Sequence, residues 1–475
     1  MTPSAQKASR QNLQFNWLVV LVLLPLSFLA GIWLHFNGLY GQEPHEIQRY
    51  MQALFNYLSG GEAPPAQNIP IVFPLAGAIV HLVIPAEYCL QFVNLIAAAI
   101  CYISFCRLLN QMYPEGTQRQ RFAFLILFLS PFFFRAAVTG LADMLSMSFV
   151  VYALLECWKW NRTLSSQSLI LSITAGILAV QTRYSTGLLL IPLLPMIWIS
   201  MRSRLSLFLL IVFTILIALT PSILLKGQDG LEVLLHPWLL DWSPLNLFRT
   251  TFSQSGHLVT YSLPNIIYLL SLLLHPGFCI IGIVFIVYSI RSEIALPHSW
   301  TFGIALFLFF IGGLPVQDLR LLMPAFPVAL LALYPAYETL IFKFSTRNQR
   351  VVIYLFAILV QLALLVKVIL PVYQYQQEEL IIANALKKMP ASTLNTFAID
   401  GALRSYNVPQ EVINMWSTSY QLFNAGDLIL YNRSRFDEQF GDAEPVKIFH
   451  RLRNNGRLMF LKSFPNGWEL YRIKQ

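Results

Sequence analysis

The chain has 475 residues, of which 56% are hydrophobic and only 12% are charged. Soluble domains carry about 25% charged residues, so this composition excludes an ordinary soluble protein and indicates a polytopic membrane protein. The net charge of +9 does not indicate nucleic-acid binding, because most of the excess basic charge lies in short loops between apolar runs, where it sets membrane orientation.

The apolar runs predict about eleven membrane spans, since one span needs about 20 apolar residues. They cover roughly 17–36, 88–106, 121–137, 141–158, 168–181, 185–201, 205–225, 265–290, 299–315, 319–338 and 351–371. If the N-terminus is cytoplasmic, the basic clusters of the even-numbered gaps fall inside, as the positive-inside rule requires. Those clusters are Arg107, Arg119 and Arg121; Lys159 and Arg162; Arg202 and Arg204; Arg291; and Lys343, Arg347 and Arg350.

Two long loops are predicted on the outer side. The first covers 37–87 and contains 70–84, which is apolar but too short for an ordinary span. A run of this length is often re-entrant or interfacial, so we predict an interfacial helix there. The second loop, 226–264, carries Trp238 and Trp242, which fit an interfacial aromatic belt.

The composition changes after Pro371, and residues 372–475 have soluble character. A charged amphipathic stretch at 378–389 precedes short β-like runs bounded by Gly, Pro, Asn or Asp. The runs are 396–400, 427–431, 446–451, 458–462 and 468–473. The predicted fold is therefore mainly α, with a transmembrane domain at 1–371 and a small extracytoplasmic α/β domain at 372–475.

Acidic residues stand at the outer ends of several spans. Glu43 and Glu46 flank His45 after the first span, and Asp143 begins the fourth span just after a turn at Gly140. A partly desolvated carboxylate there could act as a base toward a hydroxyl group or bind a metal ion. Two interpretations without a catalytic role stay open. The loop acids could simply be solvated, and Asp143 could be present because the dipole at a helix N-terminus favours an acidic residue.

Three arginines also lie on the predicted outer side, against the positive-inside trend. Arg135, Arg183 and Arg320 have planar guanidinium groups that suit the oxygens of a phosphate. The alternative is an ion pair, Arg135 with Asp143 or Arg320 with Asp318. The five cysteines fit neither a zinc site nor a disulfide framework, so we predict that they are small buried side chains.

With these residues in place, the chain resembles the GT-C superfamily of integral-membrane glycosyltransferases, in the style of bacterial protein mannosyltransferases and aminoarabinose transferases. The resemblance covers residues 12–371. Gln42 stands where many relatives have an aspartate, so the resemblance does not extend to a second adjacent loop carboxylate. It rests on Glu43 in Gly41-Gln42-Glu43, Phe73-Pro74-Leu75, Asp143 after Gly140, Arg183-Tyr184, and Gln317-Asp318-Leu319-Arg320 with Pro324 and Pro327.

The resemblance implies transfer of a sugar from a polyprenyl-phosphate donor to a lipid, glycan or protein acceptor at the outer face of a bacterial inner membrane. It implies inversion at the anomeric carbon. Glu43 and Asp143 are the candidate catalytic residues, and Arg135, Arg183 and Arg320 would bind the donor phosphate. Glu46, His45 and Asp318 are candidates for binding the acceptor or a divalent cation, and the sequence does not decide whether the protein needs a metal.

Two other classes of function stay open. A lipid or solute transporter, or a flippase, also has many spans and intramembrane charges, but its charges should lie near the membrane midplane. A structural subunit of a membrane assembly would not need clustered acids. We also expect Glu43 and Asp143 to share one outward-facing cavity.

Overall fold

The computed structural model describes residues 22, 24–62, 69–114, 128–203, 205–226, 241–254, 257–278, 297–339, 346–416, 423–441 and 443–474. It divides the chain into two compact units. The first draws on 1–37, 51–249 and 263–369, and the second draws on 38–50, 250–262 and 370–475.

The structure is mainly helical, as predicted. Short 3-10 turns at Ala86–Tyr88, Tyr184–Leu190, Pro244–Phe248 and Leu319–Ala325 separate several of the helices. The helices are α1 (Leu24–Trp33), α2 (Gln42–Leu58), α3 (Val72–Val80), α4 (Cys89–Met112), α5 (Pro131–Val138), α6 (Asp143–Thr163), α7 (Ser166–Thr182), α8 (Leu193–Ser203), α9 (Leu205–Lys226), α10 (Asn265–Leu269), α11 (Ser271–Leu274), α12 (His298–Gly312), α13 (Phe326–Glu338), α14 (Arg347–Leu386), α15 (Asp400–Ser405), α16 (Arg433–Phe440) and α17 (Glu444–Asn454).

Three described helical segments are long and apolar enough to cross a membrane: Ala86–Met112, Leu319–Glu338 and Asn348–Leu386. Two bent pairs, α5 with α6 and the 3-10 turn at Tyr184–Leu190 with α8, would bring the number to five if each pair is one span. The prediction of about eleven spans stays a prediction. Parts of it, 17–21, 121–127 and 279–290, lie outside the described residues, as do Arg119, Arg121, Arg204, Arg291, Lys343 and Trp238.

The apolar run at 70–84 forms a helix, α3, as predicted, while its interfacial position stays a prediction. Phe73 is fully buried in the first unit. A Cβ atom on Gly77 would come within 2.8 Å of both Leu90 Cδ2 and Met51 Sδ. A larger residue at this position would therefore force the Leu90 and Met51 side chains to shift.

The core of the first unit is built where α6 packs against α4 and α7. The described cysteines, Cys89, Cys101, Cys106 and Cys157, are buried and form no disulfide. This confirms their predicted role as small core side chains, while Cys279 lies outside the described residues.

The second unit contains a five-stranded mixed sheet. Its strand order is β4-β3-β5-β7-β6, with β3 parallel to β4 and β5, and β7 antiparallel to β5 and β6. Trp468, Tyr431 and Phe449 are buried in its core. The strands are β3 (Thr393–Thr396), β4 (Glu411–Asn414), β5 (Leu428–Asn432), β6 (Leu458–Ser463) and β7 (Trp468–Ile473), and a separate hairpin joins β1 (Thr251–Gln254) to β2 (His257–Thr260).

The predicted strands at 427–431, 458–462 and 468–473 are confirmed, but two others are wrong. Residues 446–451 lie in the helix α17, whose buried Pro445, Ile448, Phe449 and Leu452 recur at helical spacing on one face. The run 396–400 begins where β3 ends and leads into α15. The short strand β4 was not predicted from the sequence.

The predicted topology has a direct test. Residue 391 is exposed in the second unit, and residue 203 lies in a gap predicted to be cytoplasmic. In cells that express a cysteine-free background, a membrane-impermeant maleimide should label Ala391→Cys from outside but should not label Ser203→Cys. Permeabilised cells should label both variants. The reverse pattern in intact cells would mean that residues 70–84 or another run had been assigned to the wrong side.

Candidate functional site

Two of the three predicted donor residues, Arg135 and Arg320, line one pocket in the first unit together with Asp143. Arg135 comes from the last turn of α5, Asp143 from the start of α6, and Arg320 from the 3-10 turn before α13. The lining is completed by the apolar or small residues Phe132, Ala136, Thr139, Leu141, Leu319 and Met323. The pocket thus brings together three of the predicted site residues. The rest of its lining is largely apolar.

A buried amide fixes the turn that presents Asp143. Helices α5 and α6 meet at 113°, and the carbonyl groups of the turn between them cannot continue either helix. Asn94 Nδ2 donates to the carbonyl oxygens of Thr139 at 2.5 Å and Leu141 at 2.7 Å. Gln91 donates to the carbonyl oxygen of Val138 at 3.1 Å. Because buried carbonyl groups need partners, these amides hold the bend in one conformation.

Asp143 is 5% exposed and forms an ion pair with Arg183. Its place in the first turn of α6 is electrostatically favourable because a helix N-terminus attracts negative charge. Arg183 ends α7 in an extended conformation. Its Nη1 also lies 3.5 Å from the carbonyl oxygen of Arg320, a long hydrogen bond. A buried charge is costly without a partner, so removing Arg183 would leave the Asp143 carboxylate uncompensated.

Arg320 and Asp318 form a local ion pair, one of the two alternatives open from the sequence. Arg320 Nε and Nη2 each donate to Asp318 Oδ2 at 2.7 Å. The Arg320 amide donates to Oδ1 at 2.9 Å, so Asp318 also caps the 3-10 turn. Burial alone would raise the pKa of Asp318, but the charge and hydrogen bonds of Arg320 outweigh it and leave that pKa below its ordinary value. Asp318 therefore stays ionised and orients the guanidinium group.

We expect Asn94→Ala to destabilise the protein and displace Asp143. The change leaves two buried carbonyl groups without their donor, which typically costs about 1–3 kcal/mol. Thermal unfolding in detergent should show a lower midpoint than for Ile96→Ala on the same helix, where the side chain is exposed. Equal midpoints for the two variants would show that the turn does not depend on the Asn94 amide.

The candidate site residues of the first predicted outer loop lie in 38–50, which belongs to the second unit. Glu43 lies exposed in the first turn of α2, and Glu46 is half-buried. Burial raises the pKa of Glu46, a hydrogen bond from Gln42 opposes this, and the nearby Asp400 and Glu43 raise it further. Gln42 Nε2 donates to Glu46 Oε1 at 2.6 Å and to Asp400 Oδ2 at 3.3 Å. The glutamine thus bridges two carboxylates.

His45 is buried, and its Nε2 lies 3.1 Å from Glu379 Oε2. Among the described residues, no group of three or more His, Cys, Asp or Glu side chains is arranged to hold a metal ion. Glu379 and Asp400 were missed from the sequence, because neither lies in a motif or near α2 along the chain.

Glu43 and Glu46 belong to the second unit, whereas Asp143 and the three arginines belong to the first. That Glu43 and Asp143 share one cavity stays a prediction, as do the roles of all these residues.

The chain is similar in structure to ArnT, the aminoarabinose transferase, from Cupriavidus metallidurans. The match to ArnT bound to undecaprenyl phosphate has a TM-score of 0.59 and 9% identity, and it covers 96% of this chain and 97% of that one. The apo form matches with a TM-score of 0.57 and 12% identity, over 96% and 98%.

An oligosaccharyltransferase from Archaeoglobus fulgidus matches with a TM-score of 0.47 and 10% identity, over 97% of this chain and 75% of that one. No protein-family model matches the chain, and no curated protein matches it. The two matches to ArnT confirm that the chain has the fold predicted from the sequence resemblance.

Proposed function

We propose that this protein is an integral-membrane glycosyltransferase that uses a polyprenyl-phosphate-linked sugar as its donor. One observation carries the proposal: Arg135, Asp143 and Arg320 line a single pocket, in a fold shared over nearly the whole chain with ArnT bound to undecaprenyl phosphate. Two guanidinium groups beside a largely apolar wall suit a ligand that joins a phosphate to a prenyl chain.

In the proposed reaction, a hydroxyl oxygen of the acceptor attacks the anomeric carbon of the sugar. The bond from that carbon to the phosphate oxygen breaks, the configuration inverts, and polyprenyl phosphate leaves with both electrons of the bond. Glu43, which is exposed, accepts the hydroxyl proton as the general base. Asp143 holds Arg183 through their ion pair, and the arginines stabilise the negative charge that develops on the departing phosphate.

We place the reaction at the extracytoplasmic face of a bacterial inner membrane, with a lipid, glycan or protein as the acceptor. The basic clusters of the predicted cytoplasmic gaps support this orientation. The second unit would then lie outside the cytoplasm, with Glu43 on its surface.

Transfer can be tested directly with purified protein in detergent or nanodiscs. Radiolabelled polyprenyl-phosphate sugars are incubated with the protein and with total lipid, glycan and protein fractions of a bacterial envelope. We expect label in one fraction and release of free polyprenyl phosphate in equal amount. A flippase would instead move the labelled lipid across proteoliposome membranes without cleaving it, and a structural subunit would do neither. Either result would refute the proposed function.

A further inference from the structure

The segment that carries Glu43 is held from both sides by one buried carboxylate. Glu379, in the part of α14 that belongs to the second unit, accepts a hydrogen bond from the Gly41 amide at 2.9 Å through Oε1. Its Oε2 lies 3.1 Å from His45 Nε2. The side chains of Glu379 and His45 are 1% and 0% exposed. The two contacts flank Glu43, one two residues before it and one two residues after it.

The backbone just before Glu43 contains two glycines in a left-handed conformation. Gly38 and Gly41 both have positive φ angles, 75° and 68°, and a Cβ on Gly41 would meet nothing within 4 Å. Glycine loses more conformational freedom on folding than any other residue. The position of the first turn of α2 therefore depends on contacts made to it from elsewhere in the second unit.

Other contacts hold the same face of α2. The Gly401 amide donates to Gln42 Oε1 at 3.2 Å, and Ser405 Oγ donates to Gln48 Oε1 at 2.5 Å. The ring of Tyr406 packs edge-on against that of His45, with 5.1 Å between centroids. These residues follow β3 in the second unit, so its sheet portion supports the turn from which Glu43 projects into solvent.

We propose that Glu379 is a positioning residue for Glu43: its two hydrogen bonds to Gly41 and His45 fix the first turn of α2 and thereby aim the Glu43 carboxylate at the acceptor. The inference rests on the proposed function for the role of Glu43. The clamp itself is a property of the second unit. Displacing a catalytic base by about 1 Å can slow the reaction roughly 10²-fold. The contacts of Glu379 with Gly41 and His45 should therefore affect the chemical step.

The full-length protein tests the proposal with two readouts, hydrogen exchange of residues 38–50 and steady-state transfer kinetics. Glu379→Ala removes both contacts and should speed exchange across 41–46 at least about 10-fold, while 428–432 in the central strand β5 stays protected. It should lower kcat about 10–100-fold and leave the donor KM within about twofold. Glu379→Gln keeps an acceptor for the Gly41 amide and should show a smaller loss in both readouts.

Glu378→Gln is the matched control. Glu378 is the chain neighbour of Glu379. Its carboxylate accepts a hydrogen bond from Asn466 rather than from residues 41–45. This variant should leave exchange and kcat as in the parent protein. If Glu379→Ala does not fold, the comparison of Glu379→Gln with Glu378→Gln decides the question.

Unchanged exchange at 41–46 would overturn the proposal. So would a loss of kcat that comes with equally fast exchange at 428–432, because that pattern means general destabilisation, or a loss confined to the donor KM. If the parent protein transfers no sugar, the transferase assignment fails, and the exchange data still decide whether Glu379 clamps the turn.

Discussion

Glu43→Gln should lower sugar transfer by about 10²–10⁴-fold while expression and thermal stability stay at the parent level. Loss of a positioned general base typically has this cost, because the acceptor hydroxyl must then lose its proton without help. Stability should not change, since Glu43 is exposed in the first turn of α2 and glutamine has nearly the same volume. The measurement is single-turnover transfer at saturating donor, beside a detergent-based unfolding curve.

Glu62→Gln is the control for this prediction. Glu62 is an exposed acid in the same predicted outer loop, so it should behave as the parent protein in both assays. Near-normal turnover by Glu43→Gln would remove Glu43 from the mechanism. In that case Glu46, whose pKa is raised by burial, becomes the next carboxylate to replace.

Helix positions were largely predictable because hydrophobic length is a strong local signal. The predicted run 168–181 became Ser166–Thr182, and 299–315 became His298–Gly312. The 113° bend between α5 and α6 was only partly predictable. Gly140 indicated a turn, but the amide of Asn94, which is distant along the chain, holds it in place.

The small sheet shows where a short window misleads. Residues 446–451 contain apolar side chains that fit a strand as well as a helix, and only the wider pattern from Pro445 to Leu452 shows the helical period. The strand β4 lies at one edge of the sheet, and its residues are half-buried or exposed, so no apolar run marked it.

The site divides in the same way. The Asp318–Arg320 pair is two residues apart and was foreseen as an alternative. Asp143 and Arg183 come from different helices. The sequence could therefore indicate only that both lie on the outer side, not that they pair. Glu379 and His45 are 334 residues apart, so no local pattern could have linked them.

Arg320→Lys should lower kcat/KM for the donor far more than loss of the ion pair with Asp318 alone would. A lysine keeps the charge, but it cannot reproduce the planar fork that binds two phosphate oxygens at once. We expect kcat/KM for the donor to fall about 10–100-fold, an amount that matches roughly 1.4–2.7 kcal/mol of lost transition-state binding. The measurement is donor-dependent transfer normalised to folded protein.

The companion variant Asp318→Asn separates the two interpretations of Arg320. It removes the carboxylate that accepts from Arg320 Nε and Nη2 and leaves the guanidinium group in place. If Arg320 binds the donor phosphate, Asp318→Asn should lower thermal stability and raise the donor KM only modestly, whereas Arg320→Lys should lower kcat/KM strongly. If both variants lower stability alone, with kinetics per folded molecule unchanged, Arg320 serves the ion pair. The donor phosphate would then be bound by Arg135, which lines the same pocket, and Arg135→Lys should show the loss that Arg320→Lys lacks.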